Sequence, residues 1–151
     1  MTAHEWLIFL VIQAAFGCWA VWEAYLEGKQ GWTWNPAWWR IKLPGGYYYT
    51  AYHVWAFWIF GPLVIIFLPQ IVAGFSSRLT LILLFSYLVG TILEDFLWFV
   101  VNPLYPLRKW NPQETRWYPW ISIWKFSLPI SYIFKSVISL VIYFSILHQG
   151  S

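Results

Sequence analysis

Charged residues are scarce in this sequence: Asp, Glu, Lys and Arg fill only 10% of its 151 positions. Soluble domains average about 25% charged residues, so the composition argues against a soluble domain. The formal net charge is only +3, and the basic residues lie among tryptophans. Nucleic-acid binders usually carry a concentrated basic surface, so we expect no nucleic-acid partner.

Cysteine and the familiar catalytic motifs are also lacking. Cys18 is the single cysteine, which excludes an intramolecular disulfide and a cysteine-based metal motif. The sequence contains no His-Glu-x-x-His, no phosphate-binding glycine-rich loop and no Gly-x-Ser-x-Gly. Motifs therefore leave open whether the chain is an enzyme.

Apolar residues are abundant, at 60% of the chain. They concentrate in four windows, each close to the roughly 20 residues that cross a bilayer as a helix. The windows are residues 6–25, 51–75, 79–101 and 130–147. We therefore expect an all-α integral membrane protein in which residues 1–151 form a single domain of four transmembrane helices.

The two long loops share the tripeptide Trp-Asn-Pro, at residues 34–36 and 110–112. Asn is a good helix N-cap and Pro suits the first helical position, while nearby tryptophans suit the headgroup region. The pattern predicts a short interfacial helix in each loop. It also raises the possibility of a duplicated two-helix unit, which the sequence leaves undecided.

Basic residues are distributed unevenly about the four windows. Seven lie in the two long loops or beside them: Lys29, Arg40, Lys42, Arg108, Lys109, Arg116 and Lys125. The opposite side carries only Arg78. The positive-inside rule then predicts a protein of the cell membrane with both long loops in the cytoplasm and both termini outside.

Two adjacent acids, Glu94 and Asp95, interrupt the third apolar window. An acid in hydrocarbon is costly, so it normally faces a bundle interior, a partner charge or a water-filled cavity. At about 1.5 Å per helical residue, Lys135 on the fourth helix reaches a similar depth. Glu23 and His53 fall in the same third of the bundle. We expect Glu23, His53, Glu94, Asp95 and Lys135 to form one buried polar layer.

This layer supports two chemical interpretations. Glu94 and Lys135 can form a structural ion pair, which lets a membrane protein keep charges in a helix contact. Alternatively His53, Glu94 and Asp95, with Glu23 as a further ligand, can hold a divalent metal, because carboxylates with imidazole suit zinc, iron or manganese. The sequence does not decide between them.

Small residues recur at helical spacing in two windows. Ser86, Gly90 and Glu94 are four residues apart and so share a face. On the first helix the matching stripe is Gln13, Gly17, Ala20 and Ala24. Small residues allow close approach of membrane helices, so we expect both stripes to face the bundle interior.

One segment of the sequence resembles part of a known group of membrane proteins. LEDFLWFVVNPLYP, residues 93–106, followed by LRKWNPQETRWYPW, resembles a segment of small multi-span membrane proteins of archaea and bacteria. In size, tryptophan content and spans the chain is also similar to accessory subunits of membrane energy-converting complexes, among them the subunit encoded with archaeal ammonia monooxygenase. The resemblance implies a class of protein and carries over no catalytic residue.

Two functions remain open. The first is a small non-catalytic accessory subunit of a larger membrane complex, such as a membrane oxidoreductase of the ammonia monooxygenase kind. Its expected partners are membrane lipids and other integral membrane subunits. The second is a membrane-embedded enzyme or carrier, acting on a lipid headgroup or small hydrophobic substrate at the cytoplasmic interface through a Glu/Asp/His site.

Overall fold

Four long helices and two short antiparallel hairpins make up most of the part of this protein that the structure describes. The structure is a computed structural model, and it describes residues 1–31, 38–44 and 47–148. The elements are α1 (Ala3–Glu27), β1 (Arg40–Lys42), β2 (Tyr48–Thr50), α2 (Ala51–Ala73), α3 (Ser77–Val101), β3 (Trp120–Ile123), β4 (Phe126–Pro129) and α4 (Ile130–His148). All four helices are long and apolar enough to cross a membrane, as the sequence predicted.

The helix ends follow local side-chain chemistry. Thr2 caps α1 in a capping box: Glu5 N–H donates to Thr2 Oγ1 at 3.2 Å, and Thr2 N–H donates to Glu5 Oε2 at 2.7 Å. Ser76 caps α3 by accepting from Leu79 N–H. Asn102 ends α3, because the residue before a proline avoids helical geometry.

Helix α2 is irregular on both sides of Gly61-Pro62. Segments Val54–Phe60 and Leu63–Phe67 are π-helical, and Gly61 N–H donates to Ala56 O, five residues back. Proline has no N–H to donate, so the regular ladder cannot continue through this point. The wider π-helical turns are the form that the distortion takes on both sides of Gly61-Pro62.

Helices α1 and α3 pack closely through their small-residue stripes. Gly90 lies directly against the ring of Phe16, which is completely buried together with Ala20. Gln13 Nε2 donates to Ser86 O at 2.9 Å, which adds a polar tie across the same contact. The expectation that these stripes face the bundle interior is confirmed.

One end of the bundle, which we call the terminal end, gathers the starts of α1 and α3 and the end of α4. There the Arg78 guanidinium donates to both carboxylate oxygens of Glu5, at 2.6 and 3.0 Å, and to Ile146 O at 3.0 Å. This one side chain therefore links three helices.

The opposite end, which we call the loop end, carries both hairpins. In the first, β1 pairs with β2 from Arg40↔Thr50 to Lys42↔Tyr48. In the second, β3 pairs with β4 from Trp120↔Pro129 to Ile123↔Phe126. Strand β3 is largely exposed: Trp120 is half-buried, and Ile121, Ser122 and Ile123 are exposed.

The interfacial helix predicted at residues 110–117 is not found. Asn111 does act as a cap, accepting from Gln113 N–H and Glu114 N–H, but only one turn follows before Thr115 Oγ1 donates to Lys109 O. That bond turns the chain back toward β3. A one-turn 3₁₀ helix, Leu107–Lys109, precedes the cap. The other predicted interfacial helix, at residues 34–36, lies outside the described residues.

Candidate functional site

A cavity of about 620 Å³ lies at the loop end, between α2, α3, α4, the first hairpin and the segment that precedes β3. We call it the loop-end cavity. Much of its wall is aromatic, with Tyr48, Tyr49, Phe57, Trp58 and Trp117 among the lining residues. Apolar walls of this size, with a few placed polar groups, are typical of sites for small molecules.

Ionisable side chains occupy one part of that wall. His53 comes from the first turn of α2, Glu94 and Asp95 from late in α3, and Lys135 from the second turn of α4. His53 and Glu94 are almost fully buried, with 3% of their surface exposed. The cavity therefore combines apolar volume with groups that can bind or transfer a proton.

A side pocket of about 20 Å³ adjoins these acids. Glu23, Glu27, His53, Glu94 and Asp95 all line it. A space of roughly 10–15 Å³ on this measure holds one water-sized particle. The pocket thus has room for a single water molecule or metal ion among four carboxylates.

Three of these side chains form the acid–histidine cluster: Glu23, Glu27 and His53. One carboxylate oxygen of each glutamate and a ring nitrogen of the histidine lie within 4.8 Å of one another. His53 Nε2 is 3.6 Å from Glu27 Oε1 and 3.9 Å from Glu23 Oε1. Both distances exceed that of a good hydrogen bond.

Local structure fixes this histidine. Thr50 is the N-cap of α2 and its side chain accepts from His53 N–H. The same hydroxyl oxygen lies 2.5 Å from His53 Nδ1. A bond at Nδ1 sets the orientation of an imidazole, so Nε2 points toward the two glutamates of α1.

Asp95 has a partner of its own. The hydroxyl of Tyr118, which precedes β3, donates to Asp95 Oδ1. Burial, followed by the negative charge of Asp95, raises the pKa of Tyr118 well above its usual range. Tyr118 therefore remains a phenol and acts as a hydrogen-bond donor to the aspartate.

The structure brings four of the five residues of the expected polar layer to the side pocket: Glu23, His53, Glu94 and Asp95. The fifth, Lys135, lines the loop-end cavity with Glu94 and Asp95. The ion pair between Glu94 and Lys135, one of the two interpretations that the sequence left open, is not formed. Among the described residues, the ion pairs within 4 Å join His53 to Glu23 and Glu27, and Arg78 to Glu5.

Sequence reasoning missed Glu27, Thr50 and Tyr118. A signal for Glu27 was present, because it follows Glu23 by four residues and so shares its helical face. Thr50 could have been read as the cap of the helix that begins with Ala51. Nothing in the sequence links Tyr118 to Asp95, since that contact depends on how residues 103–119 fold back over α3.

Comparisons with protein-family models, with curated proteins and with solved structures give no match to this chain. The resemblance carried by residues 93–106 therefore stays a prediction.

Proposed function

We propose that this chain is a membrane-embedded enzyme or carrier that takes up a small, largely apolar molecule with a polar end, such as a lipid with its headgroup. The supporting observation is the loop-end cavity: about 620 Å³ of mainly apolar volume with His53, Glu94, Asp95 and Lys135 in its wall. An occupant would place its apolar part against the aromatic residues and its polar end against these four side chains.

The opposing charges in the wall favour a ligand with a polar headgroup over a plain hydrocarbon. Lys135 can contact an anionic or hydroxyl group, while Glu94 and Asp95 can contact a cationic group or accept a proton. A plain hydrocarbon would give Lys135 and Glu94 no polar contact in a largely apolar space, which is unfavourable.

A cavity-filling variant tests the proposal. Leu88 lies in the cavity wall, so Leu88→Trp places an indole in the space meant for the ligand. Val100→Trp is the matched control, since Val100 is on the same helix but 51% exposed on the outer surface. We expect mass spectrometry of the purified proteins to find a bound small molecule in wild type and Val100→Trp and to find it lost in Leu88→Trp. Equal contents in all three would refute the proposal.

A second measurement separates an enzyme from a carrier. Asp95 borders the cavity and is half-buried, so its carboxylate can contact the polar end of an occupant. If the protein is an enzyme, Asp95→Asn should retain an occupant whose mass differs from that of the wild-type occupant by the group transformed. If it is a carrier, both should hold the same species.

We also propose that the loop end lies on the cytoplasmic side of the cell membrane, because most of the basic residues are found there. A cysteine-free background made with Cys18→Ser allows single cysteines to be tested with a membrane-impermeant maleimide. We expect Glu114→Cys at the loop end to react only after the cells are permeabilised. We expect His4→Cys at the terminal end to react in intact cells. The reverse pattern would invert the proposed topology.

A second candidate function is an accessory subunit of a larger membrane complex. It is favoured by the small amount of described chain outside the four spans, chiefly two short hairpins and their connections, which leaves the lateral helix faces as the main surface. On α2, Ile71 and Val72 are 70% and 79% exposed. Purification from native membranes in mild detergent should then recover a stoichiometric integral membrane partner. Recovery of the chain alone would oppose this function.

A further inference from the structure

We propose that the acid–histidine cluster is a binding site for one divalent transition-metal ion of the zinc, manganese or iron class. Glu23, Glu27 and His53 would be its ligands, with Glu94 as the fourth. This inference goes beyond the proposed function, since a metal can bind here whether or not the loop-end cavity holds a small molecule.

The spacing of His53 and the two glutamates of α1 is close to that of ligands on one metal ion. Zinc bonds to nitrogen and oxygen ligands are about 2.0–2.2 Å long, so two ligands at tetrahedral angles lie roughly 3.3–3.6 Å apart. His53 Nε2 lies 3.6 Å from Glu27 Oε1 and 3.9 Å from Glu23 Oε1. Bringing these two pairs of atoms to the spacing of metal ligands takes shifts of a few tenths of an ångström, and the oxygens of Glu23 and Glu27 lie within 4.8 Å of each other.

Three carboxylates of the side pocket each have an oxygen atom without a hydrogen-bond partner. Glu23, Glu27 and Glu94 are each more than nine-tenths buried, and in each the Oε1 atom has no hydrogen-bond partner. All three side chains line the same small pocket. Buried carboxylate oxygens are normally paired or bound to a metal, so three in one pocket indicate a cation.

Acidic side chains outnumber basic ones around the side pocket and the cavity wall beside it. Glu23, Glu27, Glu94 and Asp95 surround the side pocket, and Lys135 is the lysine that shares the adjoining cavity wall with two of them. Ionised carboxylates that lack a compensating positive charge raise the free energy of a membrane interior. A divalent cation offsets two of the negative charges at the place where they converge.

The position of His53 suits a ligand rather than a surface residue. Its Nδ1 is held by Thr50 Oγ1 at 2.5 Å, and this arrangement directs Nε2 into the pocket. Metal-bound histidines usually have a hydrogen-bond partner at the second ring nitrogen, which fixes the ring and its tautomer. Thr50 would be the positioning residue of the site.

The test uses the full chain in detergent, stripped of metal with a chelator and then titrated with Zn²⁺ or Co²⁺. We expect one ion per chain. Glu27→Gln and His53→Asn should each weaken Zn²⁺ binding at least tenfold and alter the visible absorption of bound Co²⁺. Glu114→Gln and His4→Gln are the matched controls, since they lie in an exposed loop segment and at the terminal end; both should bind like wild type.

Two results would overturn the site. One is a folded wild-type chain that binds no Zn²⁺ or Co²⁺, which would mean that protons alone neutralise the cluster. The other is binding that Glu27→Gln and His53→Asn leave unchanged, which would place the ion elsewhere. If a ligand variant fails to fold, the wild-type titration still decides the first result.

Thr50 supplies a finer test that spares the ligands. Thr50→Val removes the oxygen that holds His53 Nδ1, and loss of such partners typically costs about 10–100-fold in metal affinity. Thr50→Ser keeps the oxygen and should restore binding. Equal Zn²⁺ affinity in both variants would exclude His53 as an oriented ligand. The cavity-filling variant Leu88→Trp should bind Zn²⁺ normally, so failure of the metal site and of the proposed function can be told apart.

Discussion

Gly90→Ala should destabilise the bundle although alanine is the better helix former. A β-carbon at this position would lie 2.1 Å from Phe16 Cδ2 and 2.4 Å from its Cε2. The Phe16 ring cannot swing away easily, because it is completely buried and packs against Trp19 and Tyr87, with ring centroids 5.9 and 5.4 Å away. Helices α1 and α3 must therefore move apart.

The size of the effect follows from two opposing contributions. Replacing Gly by Ala inside a helix gains about 1 kcal/mol. Carbon atoms pack best at about 3.5–4.0 Å, so relieving the clash between the new methyl group at Gly90 and Phe16 needs a shift of roughly 1.5 Å. Overpacking typically costs about 1–3 kcal/mol, and so large a shift belongs at the upper end. We expect a net loss of about 1–2 kcal/mol.

Gly17→Ala is the matched control on the facing helix. A β-carbon there would meet only Leu97 Cδ1, at an ordinary 3.8 Å, so this variant should gain up to about 1 kcal/mol. Reversible unfolding in mixed detergent micelles, followed by circular dichroism, measures both. Adding Phe16→Leu to Gly90→Ala should recover part of the loss. If Gly90→Ala proves as stable as Gly17→Ala, the packing argument is wrong.

Three other substitutions probe the two ends of the bundle in the same unfolding assay. Asn102→Ala removes a nearly fully buried side chain that donates to one backbone carbonyl and accepts from two backbone N–H groups, so we expect a loss of about 2–4 kcal/mol; a loss below about 1 kcal/mol would contradict that role. Tyr118→Phe should cost about 1–3 kcal/mol through its lost bond to Asp95. Because the pKa of Tyr118 is raised by burial, the wild type should also lose stability above about pH 10, where the unfolded chain ionises first, and Tyr118→Phe should lose less. Glu5→Gln should lower stability through its lost ion pair with Arg78, and the difference from wild type should shrink at high salt.

The four spans could be predicted from the sequence because a bilayer imposes a length and an apolar composition that a single helix must satisfy by itself. The helix cap at Thr2 can also be predicted from the sequence, because both residues of a capping box lie within four positions of the chain. The structure of the loop end could not be predicted from local sequence in this way. Residues 110–117 have the cap signal of a helix, but a bond from Thr115 to the backbone of Lys109 closes the segment after one turn.

The candidate site was partly predictable for a similar reason. Counting residues from the helix ends placed Glu23, His53 and Glu94 at one depth, because helix rise is constant. The depth of a residue in the bundle does not determine how its helix is rotated about its own axis. Counting residues therefore could not show that Glu27 lies beside His53 while Lys135 lies apart from Glu94. Rotation is set by packing, above all by where α1 and α3 touch.

That contact links the stability of the bundle to its candidate metal site. Gly90 and Glu94 are one helical turn apart on α3, and Phe16 and Glu23 are two turns apart on α1. Metal–ligand bond lengths stay within about 0.2 Å of their usual values, so ligands moved apart by the much larger separation that a methyl group at Gly90 would force could not all reach one ion. The close approach at Phe16 therefore holds the carboxylates of both helices in register. A loss of Zn²⁺ binding in Gly90→Ala, with every ligand intact, would have the same physical origin as its loss of stability.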